Sequence, residues 1–90
     1  MTSQFEFNET KSKTNLEKHG IDFNEAQKLW EDYDLIEFPA RKVQDEERFF
    51  AVGMINQKHW TAIITYRIDI IRIISVHRSR PKEIKVYESR

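Results

Sequence analysis

Residues 48–78 read RFFAVGMINQKHWTAIITYRIDIIRIISVHR, and this stretch decides the fold. Three runs, 48–55, 59–67 and 70–78, are rich in Ile, Val, Phe, Tyr and Thr, whose branched or aromatic side chains suit a pleated surface. Asn56-Gln57-Lys58 and Ile68-Asp69 separate them, and both connections are short enough for hairpins. The spacing predicts a three-stranded antiparallel meander. Strict alternation along the last run puts Ile71, Ile73, Ser75 and His77 on one face, and Arg72, Ile74, Val76 and Arg78 on the other.

Upstream, a fourth short strand is expected over 35–38, ended by Pro39, with a charged loop over 40–46. The N-terminal third reads differently. Phe5-Glu6-Phe7 alternates as a brief strand, and Asn8 can then cap a helix by accepting from the exposed amides of its first turn. Glu9 suits that turn, His19 gains from the helix dipole at the other end, and Gly20 stops the helix. Asp22 and Glu25 have capping-box spacing, and Phe23, Ala26, Leu29 and Trp30 give a second helix an apolar face. Pro81 opens a last helix leading through Lys82, Glu83, Lys85 and Tyr87. The expected fold is therefore α+β: an antiparallel sheet, covered by an N-terminal helical hairpin, with a C-terminal helix.

Ninety residues suit a single domain, 1–90. The chain has no cysteine, which removes disulfides, thiolate metal clusters and thiol nucleophiles. The first twenty residues carry charges throughout and do not read as a secretory leader, and no apolar run approaches a membrane span. A cytoplasmic location without a membrane partner is expected. The formal net charge of zero hides an asymmetry, because residues 1–47 hold 6 Lys/Arg against 12 Asp/Glu and residues 48–90 hold 9 against 3. The halves thus carry −6 and +6, and a basic C-terminal half points to an anionic partner, nucleic acid first. Mutual neutralisation of two packed halves is the plainer alternative.

No histidine pair has ligand spacing and no acidic cluster completes a site, so no metal is expected and no cofactor motif is present. Asp45-Glu46-Glu47 reads as a solvated loop run. What remains is chemistry by basic and hydroxyl side chains, which suits RNA cleavage by attack of the 2′-hydroxyl on the adjacent phosphate. Arginines among β-branched strand residues can fork a phosphate and stay charged at any cellular pH. His77, close in sequence to Arg78 and Arg80, is the histidine best placed for chemistry, whereas His59 at a hairpin tip reads as solvent-exposed.

Phe7-Asn8, Lys11, Asn15, Lys18-His19-Gly20-Ile21 and Phe23 resemble the family pattern WDxxKxxxNxxKHGVxF. Glu47-Arg48, Gly53 and Tyr66-Arg67 follow at the expected places. Arg72-Ile73-Ile74-Ser75 then resembles RIIS, and Glu83 and Tyr87 match ExxxY. Together these are similar to the BrnT family of bacterial type II toxins, over nearly the whole chain. The resemblance implies a fold like that of RelE and ParE toxins and a ribonuclease activity that stops translation. It also implies a BrnA-like ribbon-helix-helix antitoxin as partner, with operator DNA reached only through the antitoxin complex. Two departures stand out: Phe7-Asn8 replaces Trp-Asp, and His77-Arg78-Ser79 stands where Arg-Arg-Ala is more usual.

On this reading the catalytic candidates are Arg72, His77, Arg78 and Tyr87. RNA binding falls to Lys18, His19, Arg48, Arg67 and Arg80, and antitoxin binding to Arg67, Arg78, Arg80, Lys82 and Lys85. Two other readings stay open. One is a catalytically weakened module that keeps the antitoxin interface. The other is a non-enzymatic RNA-binding domain that uses Tyr66, Trp60 and the arginines for stacking and phosphate contact.

Overall fold

The computed structural model describes residues 4–89. Arg90, counted above in the basic half, lies outside them. In chain order the elements are β1 (Gln4–Glu6), α1 (Glu9–His19), α2 (Phe23–Ala26), a 3-10 helix (Gln27–Glu31), β2 (Ile36–Pro39), β3 (Phe49–Ile55), β4 (Lys58–Arg67), β5 (Ile70–Arg78) and α3 (Pro81–Glu88). The local signals act as expected. The Asn8 side chain accepts from the Lys11 N–H at 3.0 Å, and Gly20 takes the left-handed conformation (φ 80°), donating its N–H to the Leu16 carbonyl at 2.9 Å.

The strands form one five-stranded sheet in the order β1-β5-β4-β3-β2. The β3-β4-β5 meander is antiparallel, and β2 pairs antiparallel with β3. The sheet is nevertheless mixed rather than wholly antiparallel, because β1 runs parallel to β5, with Phe5 opposite Ile71. No hairpin links these two strands, so no turn sets their relative sense. The helices between β1 and β2 carry the chain across the sheet instead.

The expected N-terminal helical hairpin is not formed. The second helix is a single α-turn that tightens into the 3-10 segment and lies on β3. Gly53 makes this approach possible: a Cβ there would stand 3.0 Å from Leu35 Cδ1, 3.1 Å from Asp32 Oδ2 and 3.2 Å from Leu29 Cδ2. The 3-10 segment is thus shaped by the sheet beneath it, while the α2 turn stays tied to α1 by the Phe23 N–H donating to Ser12 Oγ at 2.9 Å. Ile21, Phe23, Ala26 and Leu29 pack with Ala51, Ile55, Trp60, Ala62, Ile64, Ile71, Ile73 and Val76 to make the core.

A β-bulge changes the meaning of β5. Ile63 opposes Ser75 but Ile64 opposes Ile73, so Ile74 is the extra residue and alternation shifts there. Trp60 opposes Arg78 and Ala62 opposes Val76, which places Ile71, Ile73, Val76 and Arg78 on the core face. Thr61 opposes His77 and Thr65 opposes Arg72, which places Arg72, Ser75 and His77 on the other. The expectation that Arg72 and Arg78 share a face is therefore corrected. They lie on opposite faces.

Candidate functional site

Helix α3 covers only one end of the second face, where Glu83 and Tyr87 are its buried residues. Glu83 Oε1 accepts from the Arg80 backbone N–H at 2.8 Å and from Thr61 Oγ1 at 3.0 Å, and His77 Nε2 lies 3.1 Å from the same oxygen. Thr61 Oγ1 also lies 2.8 Å from Ser79 Oγ. Burial pushes the Glu83 carboxyl upward, but the bonds from Arg80, Thr61 and His77 outweigh it and hold the group below the usual glutamate range. His77 and Glu83 are each 8% exposed. The pair ties α3 to β4 and β5.

Tyr87, 5% exposed, donates its hydroxyl to Asp32 Oδ2 at 2.7 Å, and the same oxygen accepts from the Met54 N–H at 2.8 Å. Its ring meets the His59 ring edge-on, and His59 Nε2 lies 2.8 Å from Glu88 Oε2. His59 is thus a half-buried partner of α3 rather than a free hairpin tip.

The other end of this face is open and cationic. Arg48 precedes β3, Arg67 ends β4 and Arg72 lies in β5, yet the three converge on two carboxylates. Arg72 Nη1 donates to Glu6 Oε2 at 3.0 Å, and Arg67 stands 3.7 Å from both Glu6 and Glu46. Arg48 Nε reaches Glu46 Oε1 at 3.4 Å. Glu46 is therefore part of this cluster and not merely a solvated loop residue. Between the two ends lies a largely apolar groove of about 610 Å³, walled by Phe38, Phe50, Pro81 and Val86 and flanked by Arg80 and Lys82.

The four residues expected to act together do not form one cluster. Arg72 lies at the open end, roughly 15 Å along the strand from His77 beneath α3. Tyr87 is at the β3 edge, and exposed Arg78 covers the Trp60 ring on the opposite face at 5.4 Å. Lys18 and His19 line a small hollow with Lys11, Asn15 and Ser75, apart from the arginine cluster. Lys82 and Lys85 are exposed on α3. Tyr66, on the core face, donates its hydroxyl to Glu37; burial first, and then that carboxylate, raise it above the ordinary tyrosine range. Such a phenol stays protonated at neutral pH.

Sequence reasoning missed four side chains. Asp32 and Glu6 find their partners far along the chain. Asn15, named only as a position of the family pattern, reaches Val76 as well as nearby Ile21, and Glu46 reaches Arg67 as well as Arg48. Glu83 had a local signal, three residues after the Arg80 cap position. Among the described residues no group of three or more His, Cys, Asp or Glu side chains is arranged to hold a metal ion, and no described helix is long and apolar enough to cross a membrane.

The fold is thus a small α+β one whose second sheet face is half open, with basic side chains at both ends. The chain belongs to the family described as the ribonuclease toxin BrnT of a type II toxin-antitoxin system, whose model matches residues 7–83. Membership implies an antitoxin partner. No curated protein matches the chain.

Proposed function

We propose that the chain is the toxin of a type II pair, a metal-independent endoribonuclease that cuts RNA and thereby inhibits translation in the cytoplasm. The observation that carries this reading is the convergence of Arg48, Arg67 and Arg72 at the open end of a sheet face. In the proposed reaction the substrate's 2′-hydroxyl loses its proton and attacks the adjacent phosphorus. A 2′,3′-cyclic phosphate forms, and the 5′-oxygen leaves with a proton. Arg72, with Arg67 beside it, stabilises the additional charge of the phosphorane, since guanidinium forks match phosphate oxygens. His77 lies roughly 15 Å along the strand from Arg72 and pairs with Glu83, and Tyr87 donates to Asp32 at the β3 edge, so neither reaches a phosphate held at Arg72. In this reading solvent water takes the 2′-hydroxyl proton and supplies the one on the 5′-oxygen. Arg80 extends the phosphate track along the groove. Lys18 and His19 lie apart from it and are assigned to flanking RNA.

The antitoxin is proposed to be BrnA-like, with the pair reaching operator DNA through it. The apolar groove bordered by Arg80 and Lys82 suits an amphipathic acidic segment of that partner, with Lys85 exposed on the same helix. Arg78, on the other sheet face, and Arg67, in the open cluster, lie outside the groove. A likeness to RelE and ParE toxins belongs to the same reading.

The test is cleavage of single-stranded RNA by the purified protein in EDTA, beside the same RNA carrying 2′-deoxy sugars. Cleavage of the first and not the second is expected. Loss of activity on chelation, restored by a divalent ion, overturns the metal-free route.

A further inference from the structure

Three arginines that arrive from three separate elements hold only two carboxylates between them, and they hold them loosely. Arg67 is 3.7 Å from each carboxylate, beyond hydrogen-bonding distance, and the Arg48 contact is 3.4 Å. Only Arg72 to Glu6, at 3.0 Å, is close. Half-exposed pairs of this kind contribute little to stability, so a fold built for rigidity gains little from them.

The carboxylate Glu46 is nevertheless presented deliberately. Val43 and Glu46 exchange backbone hydrogen bonds at 3.1 and 2.9 Å across a two-residue turn, with Gln44 and Asp45 at positive φ (52° and 64°). Thr65 Oγ1 donates to the Glu47 carbonyl at 2.8 Å and ties the loop's end to β4. The neighbouring Asp45 is exposed, whereas Glu46 turns to the arginines. Glu6 reaches the same cluster from β1, opposite Arg72.

We propose that Glu6 and Glu46 stand in the free protein where phosphate oxygens of an RNA strand contact Arg48, Arg67 and Arg72, so that RNA binds by exchanging one set of anions for another. A phosphodiester offers the same pair of anionic oxygens, and its neighbours along the strand bring further charges, which a carboxylate cannot. The exchange keeps the guanidinium groups splayed and ready. It also rejects small anions, which lack the neighbouring charges needed to displace two tethered carboxylates. The inference rests on the open face being the RNA surface.

The test measures binding of a fluorescent single-stranded RNA with 2′-O-methyl sugars, which cannot be cut by its own hydroxyl. Wild type is compared with Glu46→Gln, Glu6→Gln and Asp45→Asn, the last losing the same charge from the same turn without touching an arginine. Glu46→Gln is expected to tighten binding about five-fold at low salt, the equivalent of one exposed ion pair. Glu6→Gln should move in the same direction and Asp45→Asn should change little. The gain should fade as salt rises, and the Glu46→Gln gain should vanish when Arg48→Ala and Arg67→Ala are added together. Equal effects of Glu46→Gln and Asp45→Asn, with wild type binding normally, overturn the exchange while leaving the RNA surface intact. Failure of every form to bind the oligonucleotide removes the RNA surface and the exchange together.

Discussion

Val76 hands both of its backbone groups to the side chain of Asn15. Its N–H donates to Asn15 Oδ1 at 3.1 Å, and its carbonyl accepts from Asn15 Nδ2 at 2.9 Å. The same Nδ2 reaches the Ile21 carbonyl at 2.8 Å. β1 pairs with β5 only over Ile70–Arg72, so beyond it the α1 amide serves in place of a strand. Asp32 does the same at the opposite edge, accepting from Met54 N–H where β2 has ended. Asn15→Ala should therefore cost about 1–3 kcal/mol for each buried backbone group left unpaired. Asn15→Asp should also be harmful, because it sets a carboxylate against two carbonyls. Chemical denaturation of both variants checks this.

Glu83→Gln should destabilise the domain by about 1–3 kcal/mol at neutral pH by disturbing the contacts to Arg80, Thr61 and His77. The pH dependence has a definite sign. The folded Glu83 carboxyl is held below its ordinary value of 4.5, so its contribution is present above that pH and is lost as pH falls through the folded value. Melting curves of wild type and variant should therefore converge in acid. A constant gap down to strongly acid pH contradicts the assignment.

Gly53→Ala should destabilise by about 1–3 kcal/mol through overpacking, since the new methyl meets Leu35, Asp32 and Leu29 at 3.0–3.2 Å. It should also loosen the C-terminal helix, because Asp32 is the acceptor for Tyr87. Amide exchange in α3 faster than in the sheet is the expected signature.

Arg72→Ala and Arg78→Ala should part company. Arg72 belongs to the open arginine cluster, and its loss should lower RNA cleavage by about 10²–10³. Arg78 covers Trp60 on the other face, and its loss should spare most cleavage. Equal losses in two well-folded variants contradict this division of roles.

Association with the antitoxin should slow as salt rises, because exposed charges are screened beyond about 8 Å at physiological ionic strength. Lys82→Glu combined with Lys85→Glu should slow it further at low salt. A rate indifferent to both salt and charge reversal shows that the α3 lysines do not recruit the partner.

The legible parts of this fold were those whose cause is local. Asn8, Gly20, Asp22 and Pro81 mark helix ends within a few residues of the groups they satisfy. The meander was readable from its short connections. The sense of β1 was not, because no turn joins it to β5. Nor was the bulge, since 70–78 is so uniformly β-forming that nothing in it marks Ile74 as supernumerary. That one residue separated Arg72 from Arg78. The arginine-rich nature of the site was visible, but its carboxylate partners were not. Glu6 lies far along the chain from Arg67 and Arg72, and Glu46, although two residues from Arg48, sits in an acidic run that reads as solvated.

Ile74 has a meaning for descent as well as for geometry. On either side of it the β4 partners are consecutive residues, Ile63 with Ser75 and Ile64 with Ile73. A chain lacking this one position keeps both halves of the ladder in register and every side chain on its present face. Loss of a residue elsewhere in β5 carries Arg72 or His77 to the wrong side unless the bulge migrates to absorb it. The bulge is thus the place in this strand where length can drift between lineages without exchanging the chemistry of the two faces. A gap placed two positions away, at Arg72, sets the shorter chain's arginine against Ile73, which faces the other way.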